Sequence, residues 1–262
     1  MANRPVPTHG VALMAVTHAA LLLIAGLVAG VIGTAGGITS LVSYPALLAV
    51  GVPALAANVA NVVALVACWP GSALASRPEL KGSSAWLGRW TPVAAVGGAG
   101  GALLLLSTST AAFDRVVPFL VAIGSLALLL QPKLAALHKD GAYPHQAYLF
   151  VGLLAVSVYN GYFGAGAGVM ILALCLHTVD RHLARANALK NMLVGAASVV
   201  SALIFVIAGP VEWAAVIPLG IGMFAGSTLG PRVARRLPAN VLRALVAVLG
   251  LALAVKLWIA PG

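Results

Sequence analysis

Long apolar runs constrain this chain more than any other feature. Val11 to Ile32, Leu55 to Ala75 and Asn191 to Ala208 are each close to the roughly 20 apolar residues that a helix needs to cross a bilayer. Polar cover is scarce, because 61% of the 262 residues are hydrophobic and only 8% are charged, against roughly 25% charged residues in soluble domains. The apolar runs are rich in Leu, Ala, Val and Gly and do not alternate in polarity, which excludes a transmembrane barrel. The fold class is therefore all-α integral membrane. The first run follows Arg4 but exceeds the roughly 7–15 residue core of a cleaved signal, so it is expected to stay as a helix. Cys68 and Cys175 lie inside apolar segments without metal-ligand spacing and read as buried thiols.

Ten apolar segments follow one another. The first unit contains Val11 to Ile32, Ile38 to Val50, Leu55 to Ala75, Trp90 to Leu106 and Val116 to Leu130. The second contains Ala147 to Phe163, Val169 to Leu176, Ala188 to Ala208, Trp213 to Leu229 and Val241 to Ile259. Each unit runs in the same order: a glycine break, a short segment, an Asn-bearing helix, a Trp-led helix and a final apolar helix. Pairing Gly33 with Gly164 and Gly37 with Gly168 needs one common shift, and small gaps then bring Asn58 opposite Asn187 and Gly101 opposite Gly226. Two transmembrane repeats at 1–131 and 147–262, joined by a cytoplasmic linker at 132–146, are expected.

Loop charges set the orientation, because cytoplasmic loops collect Lys and Arg. Alternate connections hold Arg77, Lys81 and Arg89, then Lys133 and Lys139, then Arg181 and Arg185, then Arg232, Arg235 and Arg236; the other side holds only Arg4, Arg115 and Lys256. Both termini should thus face outward. An odd number of crossings per unit makes the two five-segment repeats inverted, related by an axis in the membrane plane. The same bias accounts for most of the +10 net charge, so no nucleic-acid partner is expected.

The breaks, Val31 to Gly37 and Tyr162 to Gly168, are the main candidates for a site. Paired interruptions of this kind mark transport sites in repeat-built membrane proteins. The short segments after them are too short or marginal for a crossing, and helix N-termini exposed there would be seats for an anion. The candidate substrate-binding residues are Gly33, Thr34, Gly36, Gly37 and Thr39 from the first break, and Tyr159, Gly164, Gly166 and Gly168 from the second. Asn58 and Asn61, and Asn187, Lys190 and Asn191, join them from the helices that follow, where spacings of three and four place them on one face. Lys190 has two readings: an interior cation, or a side chain snorkelling to the interface about a turn and a half away. The break glycines likewise serve either a site or close helix packing; for Gly97, Gly101, Gly222, Gly226 and Gly230 packing is favoured. His177, Asp180 and His182 form a candidate proton relay, with simple interfacial groups as the alternative.

Several short motifs in order carry a family resemblance. They are the G-x-x-G-G break at Gly33 to Gly37, Pro45 and Pro53 around the short second segment, Ala-Asn-Ala-Leu-Lys-Asn at 186–191, and a G-x-x-x-G pattern before Arg-Arg-Leu-Pro238. Across almost its whole length the chain resembles the sulfite exporter TauE/SafE family of membrane transporters. The resemblance implies a secondary transporter exporting sulfite, thiosulfate, an organosulfonate or a related sulfur anion, in a bacterial-type inner membrane. The expected partners are a small anionic substrate and the lipid bilayer, with protons as a candidate coupling ion and a homodimer as an option. No cofactor or metal is expected. An anion channel is the alternative function. An intramembrane enzyme or assembly factor is weaker, because the spans lack a His-Glu-x-x-His, a Cys-x-x-Cys or an acid–base pair.

Overall fold

A computed structural model describes residues 8–136, 146–234, 255 and 258–259. The described residues contain eleven helices and no strand. They are α1 (Thr8–Gly36), α2 (Thr39–Ala49), α3 (Ala54–Leu65), α4 (Cys68–Ala75), α5 (Arg77–Leu80), α6 (Ser84–Ser107), α7 (Thr110–Ala136), α8 (Gln146–Tyr162), α9 (Ala167–Thr178), α10 (Leu183–Ala208) and α11 (Trp213–Ala234). Most of the expected final segment, and residues 137–145 of the expected linker, lie outside the described residues.

Among the described residues five stretches are long and apolar enough to cross a bilayer: Val16–Gly36, Ala54–Ala75, Ser84–Ser107, Leu183–Ala208 and Trp213–Arg232. Val16, Ile24, Val96, Leu103, Leu203, Ile207, Ile217 and Ile221 are exposed on them. That apolar exterior suits lipid and not water, and the chain is a multi-pass α-helical membrane protein. By contrast α2 and α9, with 11 and 12 residues, rise only about 17–18 Å, well short of the roughly 30 Å hydrocarbon core.

Several helices extend past the expected bounds, α6 starting at Ser84 and not Trp90, α7 running Thr110–Ala136 and α10 starting at Leu183 and not Ala188, and two further differences bear on the site. The helix of the first run does not stop at Ile32 but continues to Gly36, because Gly33, Thr34, Ala35 and Gly36 all keep helical geometry and the chain turns only at Gly37 (φ 81°). The third run is one span in two pieces, α3 and α4, interrupted at Val66–Ala67. Pro70 has no N–H to offer the Val66 carbonyl four residues back. The ladder there tightens to three-residue steps, with Trp69 N–H donating to Val66 O at 3.1 Å and Ala67 N–H to Ala64 O at 3.0 Å.

The helices of the two units interlock. The most extensive pairings are α1 with α11 and α6 with α8, so each unit's first helix lies on the other unit's Trp-led helix. Glycines permit both approaches. A Cβ added at Gly26 or Gly30 of α1 would overlap α11 backbone, and one at Gly222 or Gly226 would overlap α1 backbone. Gly97 and Gly101 meet α8 in the same way, which is the small-residue packing expected of them. The Asn-bearing spans cross over too, α10 packing on α6 and α4 on α11. This exchange carries each unit's polar helix to the other unit's break.

Candidate functional site

Both breaks are built by glycine in the left-handed region. Gly37 turns the chain out of α1 and its N–H donates to Gly33 O at 2.6 Å, while Gly164 (φ 82°) and Gly166 (φ 79°) turn it from α8 into α9. The two breaks touch: a Cβ at Gly37 would stand 2.6 Å from the Gly168 carbonyl carbon, and one at Gly168 would stand 2.7 Å from Gly37 Cα. These are the two positions that the common sequence shift pairs. Phe163, fully buried beside the second break, packs edge-on against Tyr44 at 5.3 Å. Neither α2 nor α9 has a side-chain cap at its N-terminus.

Interrupting a helix in a bilayer leaves carbonyls that something must satisfy. At each break one such carbonyl is met by a donor from the other unit. Asn58 Nδ2 of α3 donates to Tyr162 O at 2.8 Å, at the end of α8. Reciprocally, Asn187 Nδ2 and Asn191 Nδ2 of α10 donate to Thr34 O at 2.9 and 3.1 Å, in the last turn of α1. Lys190 Nζ reaches Gly33 O in the same turn at 3.4 Å. Lys190 is 1% exposed, so of its two readings the interior one holds and the snorkelling one does not. The negative end of the α1 dipole is a favourable place for its ammonium.

Between the breaks lies a cavity of about 30 Å³, room for a water or two in this conformation. Of the predicted site residues, Gly33, Thr34, Gly37, Thr39, Gly164, Gly168, Lys190 and Asn191 line it. The others stand behind it. Asn58 and Asn187 bind break carbonyls. Asn61 is held between two serines, donating to Ser40 Oγ at 3.0 Å and accepting from Ser43 Oγ. The Tyr159 hydroxyl, within 3.1 Å of Leu120 O and 2.7 Å of Ala165 O, ties the second break to α7. Gly166 backs onto Gly124 of α7, and a Cβ at Gly36 would meet only open space.

Leu65, Cys68, Trp69, Ser72, Val194 and Gly195 also line the cavity, though the sequence reading passed over them. A signal was present. Asn58, Asn61, Leu65, Cys68 and Ser72 follow steps of three, four, three and four, a single helical stripe. The stripe was obscured because Cys68 reads as a bystander thiol when taken alone. Gly195 leaves space that the Trp69 indole fills.

Among the described residues no aspartate or glutamate lines the cavity, and Lys190 is its one basic side chain. The candidate relay residues lie elsewhere. Asp180 pairs with His182 Nδ1 at 2.9 Å and with Arg185 Nε at 3.4 Å, and the His177 ring meets Tyr148 at 5.9 Å. Partial burial pushes the Asp180 carboxyl up, but hydrogen bonds and charge from His182, with the Arg185 charge, outweigh that and hold it below its ordinary range.

The crossed capping can be tested at Asn58. Asn58→Ala leaves Tyr162 O unpaired, at roughly 1–3 kcal/mol, partly offset because Asn58 Oδ1 is itself buried and accepts no hydrogen bond among the described residues. Asn58→Asp aims an acceptor at that carbonyl and should cost more than the alanine. Thermal denaturation in detergent should therefore rank wild type above Asn58→Ala above Asn58→Asp; equal melting temperatures would remove this role.

Comparison with known proteins adds an independent line. Residues 19–257 match the family model described as "Sulfite exporter TauE/SafE". A "Probable membrane transporter protein" of Haemophilus influenzae is 29% identical over 224 residues, 83% of this chain and 84% of that protein. "Probable membrane transporter protein ORF9" of Sinorhizobium sp is 24% identical over 245 residues, 92% of this chain and 93% of that one. "Probable membrane transporter protein YfcA" of Escherichia coli is 25% identical over 162 residues, 62% of this chain and 60% of that one. No solved structure matches the chain.

Proposed function

This chain belongs to the sulfite exporter TauE/SafE family of membrane transporters, and from that premise we propose that it is a secondary active exporter of a small sulfur-containing anion such as sulfite, thiosulfate or an organosulfonate. Transport proceeds by alternating access around the cavity between the two glycine breaks. The observation that carries the reading is Lys190: a buried lysine lining a cavity to which the described residues bring no acidic side chain. An ion in a low-dielectric interior calls for a counter-charge. A small anion in the cavity would supply it.

Further groups favour the same guest. Thr39 and Ser40 bring hydroxyls to the wall, and Asn160 and Asn191 bring amides that each keep a second N–H, donors that hold an oxyanion without the fixed charge that would trap it; the Thr34 and Ser72 hydroxyls donate instead to Gly30 O and Trp69 O. The first turns of α2 and α9 contribute Thr39, Ser40 and Gly168 from opposite units. Placing the units as inverted repeats, with both termini outside an inner membrane, lets each reach the cavity from its own side. Rocking one unit against the other about the Gly37–Gly168 contact would then expose the cavity alternately.

Purified protein in liposomes should take up sulfite, thiosulfate or a sulfonate saturably and exchange them one for one, with imposed proton gradients reporting any coupling. Unitary currents would instead identify a channel, and absence of flux for all three anions would defeat the substrate class.

A further inference from the structure

Building on that transport reading, we propose that the cavity is matched to a monoanion: the species carried has one negative charge, as a monosulfonate or hydrogen sulfite has, and dianions such as sulfate are rejected, which removes thiosulfate from the class proposed above. The charges around the cavity give the reason. Among the described residues its lining holds one basic side chain, Lys190, and no carboxylate. The position matching Lys190 in the first unit, by the offset that pairs Asn58 with Asn187, is Asn61. That amide is neutral and already engaged by Ser40 and Ser43. The pseudo-symmetry therefore supplies two polar helices but a single cation.

Helix dipoles do not add a second charge. Each break joins the C-terminal end of one helix to the N-terminal end of the next: α1 to α2 at the first, and α8 to α9 at the second. The partial charges are of opposite sign, about half a unit each, and cancel to first order at both breaks. Among the described residues the titratable side chains interacting with Lys190 are the thiols of Cys68 on α4 and Cys175 on α9, and neither adds positive charge. Lys190 thus supplies at most one unit. A guest with one negative charge leaves the closed cavity neutral, whereas a dianion leaves one charge desolvated and unmatched. Leu65, Trp69 and Val194 form an apolar stretch of the wall, tolerable beside the uncharged end of a sulfonate but not beside a second anionic group.

The test needs only the wild-type protein. In proteoliposomes, methanesulfonate, which is monoanionic at every working pH, should compete for uptake with sulfite, whereas sulfate should compete at least about a hundredfold more weakly. The ratio of sulfite to methanesulfonate uptake should fall as pH rises through neutrality, because hydrogen sulfite gives way to the dianion. Taking the ratio cancels titration of the protein itself. Sulfate competing as well as methanesulfonate, or a ratio independent of pH, overturns the monoanion rule and leaves the transport reading standing. Should no flux be seen, the transport reading is what fails, and the rule is then decided by melting of the detergent-solubilised protein. Stabilisation by methanesulfonate but not by equal sulfate upholds it; equal stabilisation, or none, overturns it.

Discussion

Lys190→Met is expected to abolish anion uptake while leaving the folded protein at least as stable as the parent. The two effects separate because they come from different groups. Uptake is lost because the described residues of the cavity wall then retain no basic side chain to balance its guest. Stability survives because Lys190 is buried with no carboxylate among the described residues that line the cavity, and removing an ion so placed relieves a desolvation cost of several kcal/mol. The bond it gives up is a long one, 3.4 Å to Gly33 O, and that carbonyl keeps its bond from Gly37 N–H. Methionine also conserves most of the volume of the stem. Uptake in liposomes and melting in detergent read the two outcomes separately. A Lys190→Met protein that still transports at the parental rate would remove Lys190 from the site. One that transports nothing because it does not fold would show that the cation is structural.

The second large effect is expected at Gly37. Gly37→Val should destabilise the protein by about 3 kcal/mol or more and lower its yield in membranes. Valine is strained at a φ of 81°, and its Cβ would stand 2.6 Å from the Gly168 carbonyl carbon and 2.7 Å from Val169 N. The neighbouring glycine provides the control. Gly36 is helical and a Cβ there would meet nothing within 4 Å, so Gly36→Ala should be neutral or stabilising by up to about 1 kcal/mol. Denaturation midpoints of the two variants check the contrast, and equal tolerance at both positions would mean that the two breaks do not touch.

That contrast shows how far the sequence could be read. Gly36 and Gly37 look alike on paper. One completes a helix and the other turns the chain against Gly168, a difference that depends on which backbone lies opposite. Close-packing glycines such as Gly101 and Gly226 were readable because small residues four apart have a local meaning on a helix. Cys68, Trp69 and Ser72 were missed as cavity residues because their significance lies in what α10 and the breaks bring to them. For Lys190, distance from the helix start allowed either interface or interior, and burial against the end of α1 decided it.

The amino-acid sequence by itself determined the membrane fold class, the two glycine breaks, the short helices after them and the polar residues on the spans that follow. These are consequences of hydropathy, backbone freedom and helical spacing, all of which act within one segment. Only the tertiary structure decided that each unit's asparagines cap the other unit's broken helix, and that one lysine stands in the cavity between them with no acidic side chain among the described residues of its wall. Those facts depend on α1 lying against α11 and α6 against α8. Contacts between helices so far apart in the chain leave no periodicity from which they could be read.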